Sequence, residues 1–571
     1  MHLNTFMYSS SGDGLKNYFT LQSYINQPAA DGYFHYSQMN YPYGDYIWYT
    51  DNSPFIALPL RFIHLNITPV HNPIAIMHLL VMLNLLAAAF VVRKILKRFI
   101  QNEWLLIFAS IILVWTSPQF FRMFGGHYNL SFSVFYFIAI EWCFRWYAAL
   151  ENKGINKHIY LAASMGVLLF IASGIHLYYM LLLGLPVGLF VFFTAVLKYK
   201  LFKENLKKYL ITICGIALGV LAIVLCIRFT DGYLSLRSNT PDGVDVSNWQ
   251  ARLFHFYKAK EKINSIGFIG GYRDFDPENA PYLGNFFWYL TTLALLYFVI
   301  QLIRSKKIIL PKPTTLVWVS ALTIIIVFFA ARGEEMGFLG LANYFNPLYW
   351  LAKVYPPIIH FRCVARFTWW IFYLLPIGLI VYIDRYIFIP APKIKLLFYI
   401  CAAFLVALDV NDIYKFYNTK ISESDFIEKN TAVIPDINYK EYQAILPIPY
   451  YTVGNEAYNY TIDNNENWFR YTCQLQIKSQ LPLMSVRLSR TPVSFTKNMF
   501  TLFQGDSISA PLLQQLNNKP ILVIYNPKVE ETSTLEPAAT IIKTAPDIIE
   551  KYHMDKITQQ GNTIYYKWNI K

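Results

Sequence analysis

Chemistry is first suggested by the acids of the opening fifty residues. Asp13 stands between two glycines in the run GDGLKNYF, which also holds Lys16, and Asp45 and Asp51 follow in YPYGDYIWYTDNSPF. A carboxylate flanked by Gly12 and Gly14 sits on backbone free to adopt unusual turns and to approach a substrate closely, which suits acid/base work; the alternative is an ordinary Gly-Asp-Gly turn. Asp51 precedes Pro54, so a turn or a helix cap competes with a place in a substrate cavity. Asp45 reads as an exposed loop acid on a Gly-rich turn. Further along, FRMFGGHYNLS carries Arg122, His127 and Asn129, and SGIHLYY carries His176, all near the ends of apolar runs. Polar groups at that depth are functional candidates by default, with an interfacial aromatic belt formed by Tyr128, Tyr178 and Tyr179 as the plainer explanation. In PPIIHFRCVARF, Arg362 and Arg366 are four apart and share one face if that stretch is helical. A guanidinium suits bidentate phosphate contact, so the pair could hold the phosphate of a membrane-anchored donor; pairing with Glu334, Glu335 or lipid head groups is the alternative.

These residues need a frame, and the composition names it. The chain has 571 residues, 55% of them hydrophobic, and a net charge of +14. Its mean hydropathy is positive. That is too apolar for an ordinary soluble fold. Apolar runs of about 17–22 residues recur, a length that spans a bilayer as a helix. Ten spans are expected near 73–92, 104–121, 129–148, 159–175, 177–197, 209–228, 284–303, 314–331, 368–384 and 396–411.

The basic residues lie in short clusters between apolar runs rather than on one face or tail, so membrane topology explains the charge and no nucleic-acid partner is expected. Clusters near 93–98, 153–157, 198–208, 304–312 and 385–395 fall in alternate short loops and are assigned to the cytoplasmic side. Both termini then lie outside. Residues 1–72 would be translocated without a cleavable signal or a first membrane helix, so a further helix is expected upstream, giving eleven spans.

Three domains follow: an extracytoplasmic first segment at 1–72, a membrane bundle at 73–411 with long outer loops at 229–283 and 332–367, and an extracytoplasmic mixed α/β domain at 412–571. In that last domain 442–451, 482–487, 520–525 and 563–568 read as strands, and 507–517 and 544–555 as helices. Of six cysteines, Cys143, Cys214, Cys226 and Cys401 fall inside apolar runs, and no disulfide or zinc spacing is present. No glycine-rich spacing marks a dimer face. Motifs of soluble nucleotide-dependent enzymes are absent.

The layout resembles the GT-C superfamily of polytopic glycosyltransferases, and more closely the bacterial YfhO-like membrane proteins grouped with it. The residues that carry the resemblance are GDGLKNYF, GGHYNLS, IHLYY and FRCVARF, within roughly residues 10–411. It implies an integral protein of a bacterial inner or plasma membrane. It also implies transfer of a sugar from a polyprenyl-phosphate donor to an extracytoplasmic glycan, lipid or protein acceptor, commonly with inversion. Asp13 would be the general base, and Arg362 and Arg366 would hold the departing phosphate. Asp51, Lys16, Arg122, His127 and His176 would line the cavity. The Asp-Glu pair of some GT-C branches is replaced here by Asp13-Gly14. Some members use a divalent metal, but no carboxylate cluster here is dense enough to predict one, so no cofactor is expected. The competing readings are a transporter or flippase for a lipid-linked saccharide, and a non-catalytic protein of envelope assembly.

Overall fold

A computed structural model describes residues 6–7, 9, 12–151, 154–238, 250–251, 284–305, 314–333, 342–389, 393–418, 422–423, 434–504, 507–531 and 533–570. Most of the outer loop at 229–283, and Glu334 and Glu335, lie outside those residues. The chain forms two compact units. One comprises Met1–Leu79, Leu225–Val244 and Ser422–Lys571, and the other Leu80–Val224 and Asp245–Ile421.

The second unit is built of helices. Among the described residues of the whole chain, seven helices are long and apolar enough to cross a membrane: Pro73–Leu96, Asn156–Ile175, Tyr178–Leu197, Leu206–Thr230, Asn285–Ile303, Thr315–Arg332 and Val364–Phe388. A pair bent by 41°, Glu103–Trp115 and Pro118–Phe124, makes an eighth if counted as one. The bend has a local cause. Ser117 accepts a hydrogen bond from Phe120 N, and Pro118 occupies the first turn, where its missing N–H costs nothing, so a new helix starts there. The other two expected spans fall on Val134–Ala149, which is 16 residues long, and on Ile394–Asn418; neither is among the seven. The protein is therefore mainly helical, with seven candidate spans and a small strand-containing C-terminal region.

Two devices lock helices together in this unit. Asn156–Ile175 and Leu206–Thr230 cross where a Cβ on Gly215 would stand 2.5 Å from the Ala162 carbonyl oxygen, and one on Gly219 would stand 2.4 Å from that of Gly166. Only glycine permits that approach, so the GxxxG spacing of 215–219 is used within the chain. At another crossing the buried Asp409 carboxylate accepts from Asn285 N (3.1 Å), Asn285 Nδ2 (2.7 Å) and Phe286 N (3.2 Å). It thus satisfies the first N–H groups of the helix Gly284–Ser305.

In the first unit the opening segment and the C-terminal region share one core. The sheet runs Ile445–Ile448, Ile521–Tyr525, Thr563–Trp568, Asp555–Gln560 in spatial order, with the first pair parallel and the others antiparallel. Its buried side chains, Leu446, Ile521, Val523 and Trp568 among them, pack with Met484, Met499, Ile541 and Tyr43. Tyr43 stacks on Phe495 with ring centroids 4.2 Å apart. A second parallel pair joins Thr452–Asn455 to Val486–Thr491. The longest C-terminal helix, Glu466–Ser479, was not expected; Asn465 caps it by accepting from Asn467 N and Trp468 N.

Arg61 fixes the end of the first helix, Gly12–Asn26. Its buried guanidinium donates to the carbonyls of Tyr24, Ile25, Gln27, Pro28 and Gly32 at 2.9–3.3 Å. The Tyr24 and Ile25 carbonyls belong to the last turn of that helix, whose acceptors a helix end leaves without an intrahelical partner.

Candidate functional site

The helix Gly12–Asn26 starts at a glycine with φ of +57°, and Asp13 occupies its first turn. One turn later the buried Lys16 extends its ammonium toward two carboxylates. Nζ donates to Asp51 Oδ2 at 2.5 Å and stands 3.6 Å from Asp13 Oδ1. Burial alone would push Lys16 down, but Asp13 and Asp51 outweigh it and raise the amine above its usual value. The ammonium is therefore retained. Of the two acids, Asp13 is the more open, with 43% of its side chain exposed against 22% for Asp51.

The sequence expectation that Asp51 caps the following helix is corrected here. Pro54–Asn66 begins after Ser53 without a side-chain cap, and Asp51, at φ of +61°, turns its carboxylate to Lys16 and accepts from Ser489 Oγ at 3.4 Å. The C-terminal region also holds the start of the Asp13 helix. Gly12 N donates to Glu466 Oε2 (2.9 Å), and Arg487 Nη1 donates to Glu466 Oε1 and Asn464 Oδ1 (both 3.0 Å). Gly14 is required by close approach: a Cβ there would lie 2.4 Å from the Ser9 Cβ and 2.6 Å from its carbonyl oxygen. A glutamate beside Asp13 has no room, which accounts for Asp13-Gly14 at that place.

Asp45 is not the exposed loop acid expected from its turn. It is fully buried, with Oδ1 2.5 Å from Arg237 Nη2, and Arg237 Nε donates to Asp231 Oδ2 at 2.8 Å. Burial acts to lower the Arg237 guanidinium, but Asp45 and Asp231 raise it, so it stays charged. The Tyr49 ring lies 3.8 Å below that guanidinium, and Arg490 approaches the same ring at 5.4 Å while pairing with Glu456 at 3.0 Å. These ion pairs clamp loops of the first unit. Asp231 and Arg237 are six residues apart, and Glu456 and Arg490 34 apart, but Arg237 meets Asp45 across 192 positions, a pairing that no local spacing announces.

In the helical unit, Arg122 is fully buried on Pro118–Phe124. Its Nη1 lies 3.3 Å from His127 Nδ1, and its guanidinium faces Trp369 at 5.7 Å. Arg366 is buried with its guanidinium 4.8 Å from the centroid of Tyr178. His176 turns inward to its neighbour: its Nδ1 accepts from Tyr178 N at 3.1 Å. Tyr136 is buried and packs at 5.8 Å on Trp369, the ring that Arg122 faces. Two guanidiniums and a phenol in a water-poor interior can stabilise an anion.

Arg362 stands apart from that group. A helix there would place it on one face with Arg366, but 356–367 is two short 3-10 turns, Pro356–His360 and Val364–Phe367, joined by three residues outside any helix or strand. Spacing by four does not align side chains there, and Arg362 is half-buried where Arg366 is buried.

The structure thus brings together Asp13, Lys16 and Asp51 in the first unit. In the second it associates Arg122 with His127 and Arg366 with Tyr178, beside His176. Among the described residues no group of three or more His, Cys, Asp or Glu side chains could hold a metal ion.

No curated protein matches the chain. A family model described as a domain of unknown function, DUF6311, matches residues 2–413, which takes in the Asp13 helix and the helical unit and ends before the C-terminal sheet. The match spans well over half of the sequence, and the chain belongs to this family.

Proposed function

We propose that the protein is a membrane glycosyltransferase that moves a sugar from a polyprenyl-phosphate donor to an extracytoplasmic acceptor. The observation that carries this reading is the trio Asp13, Lys16 and Asp51, in which the buried ammonium pairs most closely with Asp51 and leaves Asp13 open to a substrate. Asp13 takes the proton of the acceptor hydroxyl as its oxygen attacks the anomeric carbon. The bond from that carbon to the phosphate oxygen breaks, and the lipid phosphate leaves with the electron pair. In this reading Arg362 and Arg366 hold the departing phosphate and stabilise the charge that grows on it, with Arg122 and His127 of the helical unit as supporting donors. Inversion at the anomeric carbon follows from attack opposite the leaving group.

The reading takes the basic loops as cytoplasmic and the first segment and C-terminal region as extracytoplasmic, with ten spans in this chain. It groups the protein with the GT-C superfamily. Membranes containing the protein, given radiolabelled sugars on a panel of polyprenyl phosphates, should transfer label. Asp13→Asn should reduce transfer by at least about a hundredfold, the scale of a lost general base. Transfer that survives the substitution would remove Asp13 from the chemistry.

A further inference from the structure

At the far end of Pro73–Leu96, one helix face changes character within a short distance. Leu83, Leu86 and Phe90 are 49%, 55% and 75% exposed. Lys94 and Lys97 continue the same face, since the steps of three and four residues keep them aligned, and the helical hydrogen bonding carries on to Lys97 N, which donates to Arg93 O at 2.9 Å. The rise from Leu83 to Lys94 is about 16 Å, close to half of a hydrocarbon core of about 30 Å. The face therefore matches one leaflet, apolar along its length and cationic at its end.

The cationic end is a shallow, open depression of the surface lined by Phe90, Arg93, Lys94, Lys97 and Arg98. Arg98 is held in place by Glu141, with Nε–Oε2 at 2.8 Å and Nη2–Oε1 at 2.5 Å, and Arg145 adds a contact to the same carboxylate at 3.4 Å. Glu103 pairs with Arg93 at 2.6 Å and with Lys97 at 3.5 Å. Five cations thus face two carboxylates, a surplus of three positive charges, and Lys94 makes no ion pair among the described residues. A surface cluster with a net positive charge raises the local concentration of anions.

We propose that this face is a binding site for a single anionic phospholipid, with its phosphate among Lys94, Lys97 and Arg98 and an acyl chain along Phe90, Leu86 and Leu83. The site is independent of sugar transfer. The charge surplus selects an anionic headgroup, and the exposed apolar face selects a lipid over a soluble phosphate.

The test uses the full chain in detergent, with melting temperature and lipid titration as readouts. Phosphatidylglycerol should raise the melting temperature of the wild type, whereas phosphatidylcholine and glycerol 3-phosphate should not. Lys94→Gln combined with Lys97→Gln should lower the affinity for phosphatidylglycerol roughly 30-fold, the effect of removing two surface cations. The Arg98–Glu141 pair remains in that variant, and Lys94→Arg with Lys97→Arg should restore binding. Equal shifts with phosphatidylcholine, an equal shift with glycerol 3-phosphate, or unchanged affinity in the glutamine variant would each overturn the proposal.

Discussion

Several side chains of the first unit are held in states that bulk water would not favour, and Glu531 gives the clearest measurable consequence. It is buried, Oε1 accepts from Asn465 N at 3.1 Å, and Oε2 has no hydrogen-bond partner among the described residues. Burial pushes its carboxyl up from 4.5 to about 8. Because the folded form holds a proton that the unfolded chain has released, stability falls as pH rises from 4.5 to about 8, by at most about 1.4 kcal/mol per pH unit. Glu531→Gln should remove that slope and leave a protein more stable than the wild type at pH 8, read by denaturant unfolding across the pH range. Gly14→Ala tests the closeness of Ser9 in a different way. The added Cβ meets the short Ser9 side chain and the Ser9 carbonyl oxygen together, so the start of the Asp13 helix must shift, at a cost of about 1–3 kcal/mol. Transfer should fall with it, even though every side chain of the trio is retained.

Elements are held by a few contacts whose loss has predictable size. Arg61→Lys replaces a five-donor fork by a single ammonium that cannot reach the carbonyls of Tyr24, Ile25, Gln27, Pro28 and Gly32 together. It should cost about 2–3 kcal/mol in unfolding of the first unit, since buried acceptors lose their donors. Gly215→Leu should separate Asn156–Ile175 from Leu206–Thr230 and lower the melting temperature more than a leucine placed at an exposed position such as Ile213. What the sequence disclosed at this scale follows from physics. The apolar runs of 73–92, 159–175 and 209–228 are one-dimensional signals, and helices stand there. The strands near 520–525 and 563–568 likewise announce themselves by unbroken or alternating apolar residues. Asp45, by contrast, reads as an exposed turn acid because nothing within its neighbourhood in the chain betrays Arg237, 192 residues away. Arg362 and Arg366 failed to share a face because the helix assumed for them is replaced by 3-10 turns around Pro356 and Pro357.

For the molecule as a whole, the main departure from linear reading is that the first segment and the C-terminal region form one unit. Tyr43 reaches the shared core, Tyr41 Oη donates to Gln443 Oε1, and Gln476 donates to Gln38. A chain ending at residue 433 should therefore leave 27–53 without its partner surface, and limited proteolysis in membranes should cut that stretch far faster than in the full chain. Equal cleavage rates would show that the segment folds alone. The functional account rests on Asp13 as the base of a sugar transfer, and the direct measurement is transfer from defined polyprenyl-phosphate sugars by membranes matched for protein level. Wild type should transfer label and Asp13→Asn should not, with Lys16→Met also impaired because its ammonium positions Asp51 and Asp13 together. Full transfer by Asp13→Asn, or none by the correctly inserted wild type with any donor, would contradict the account.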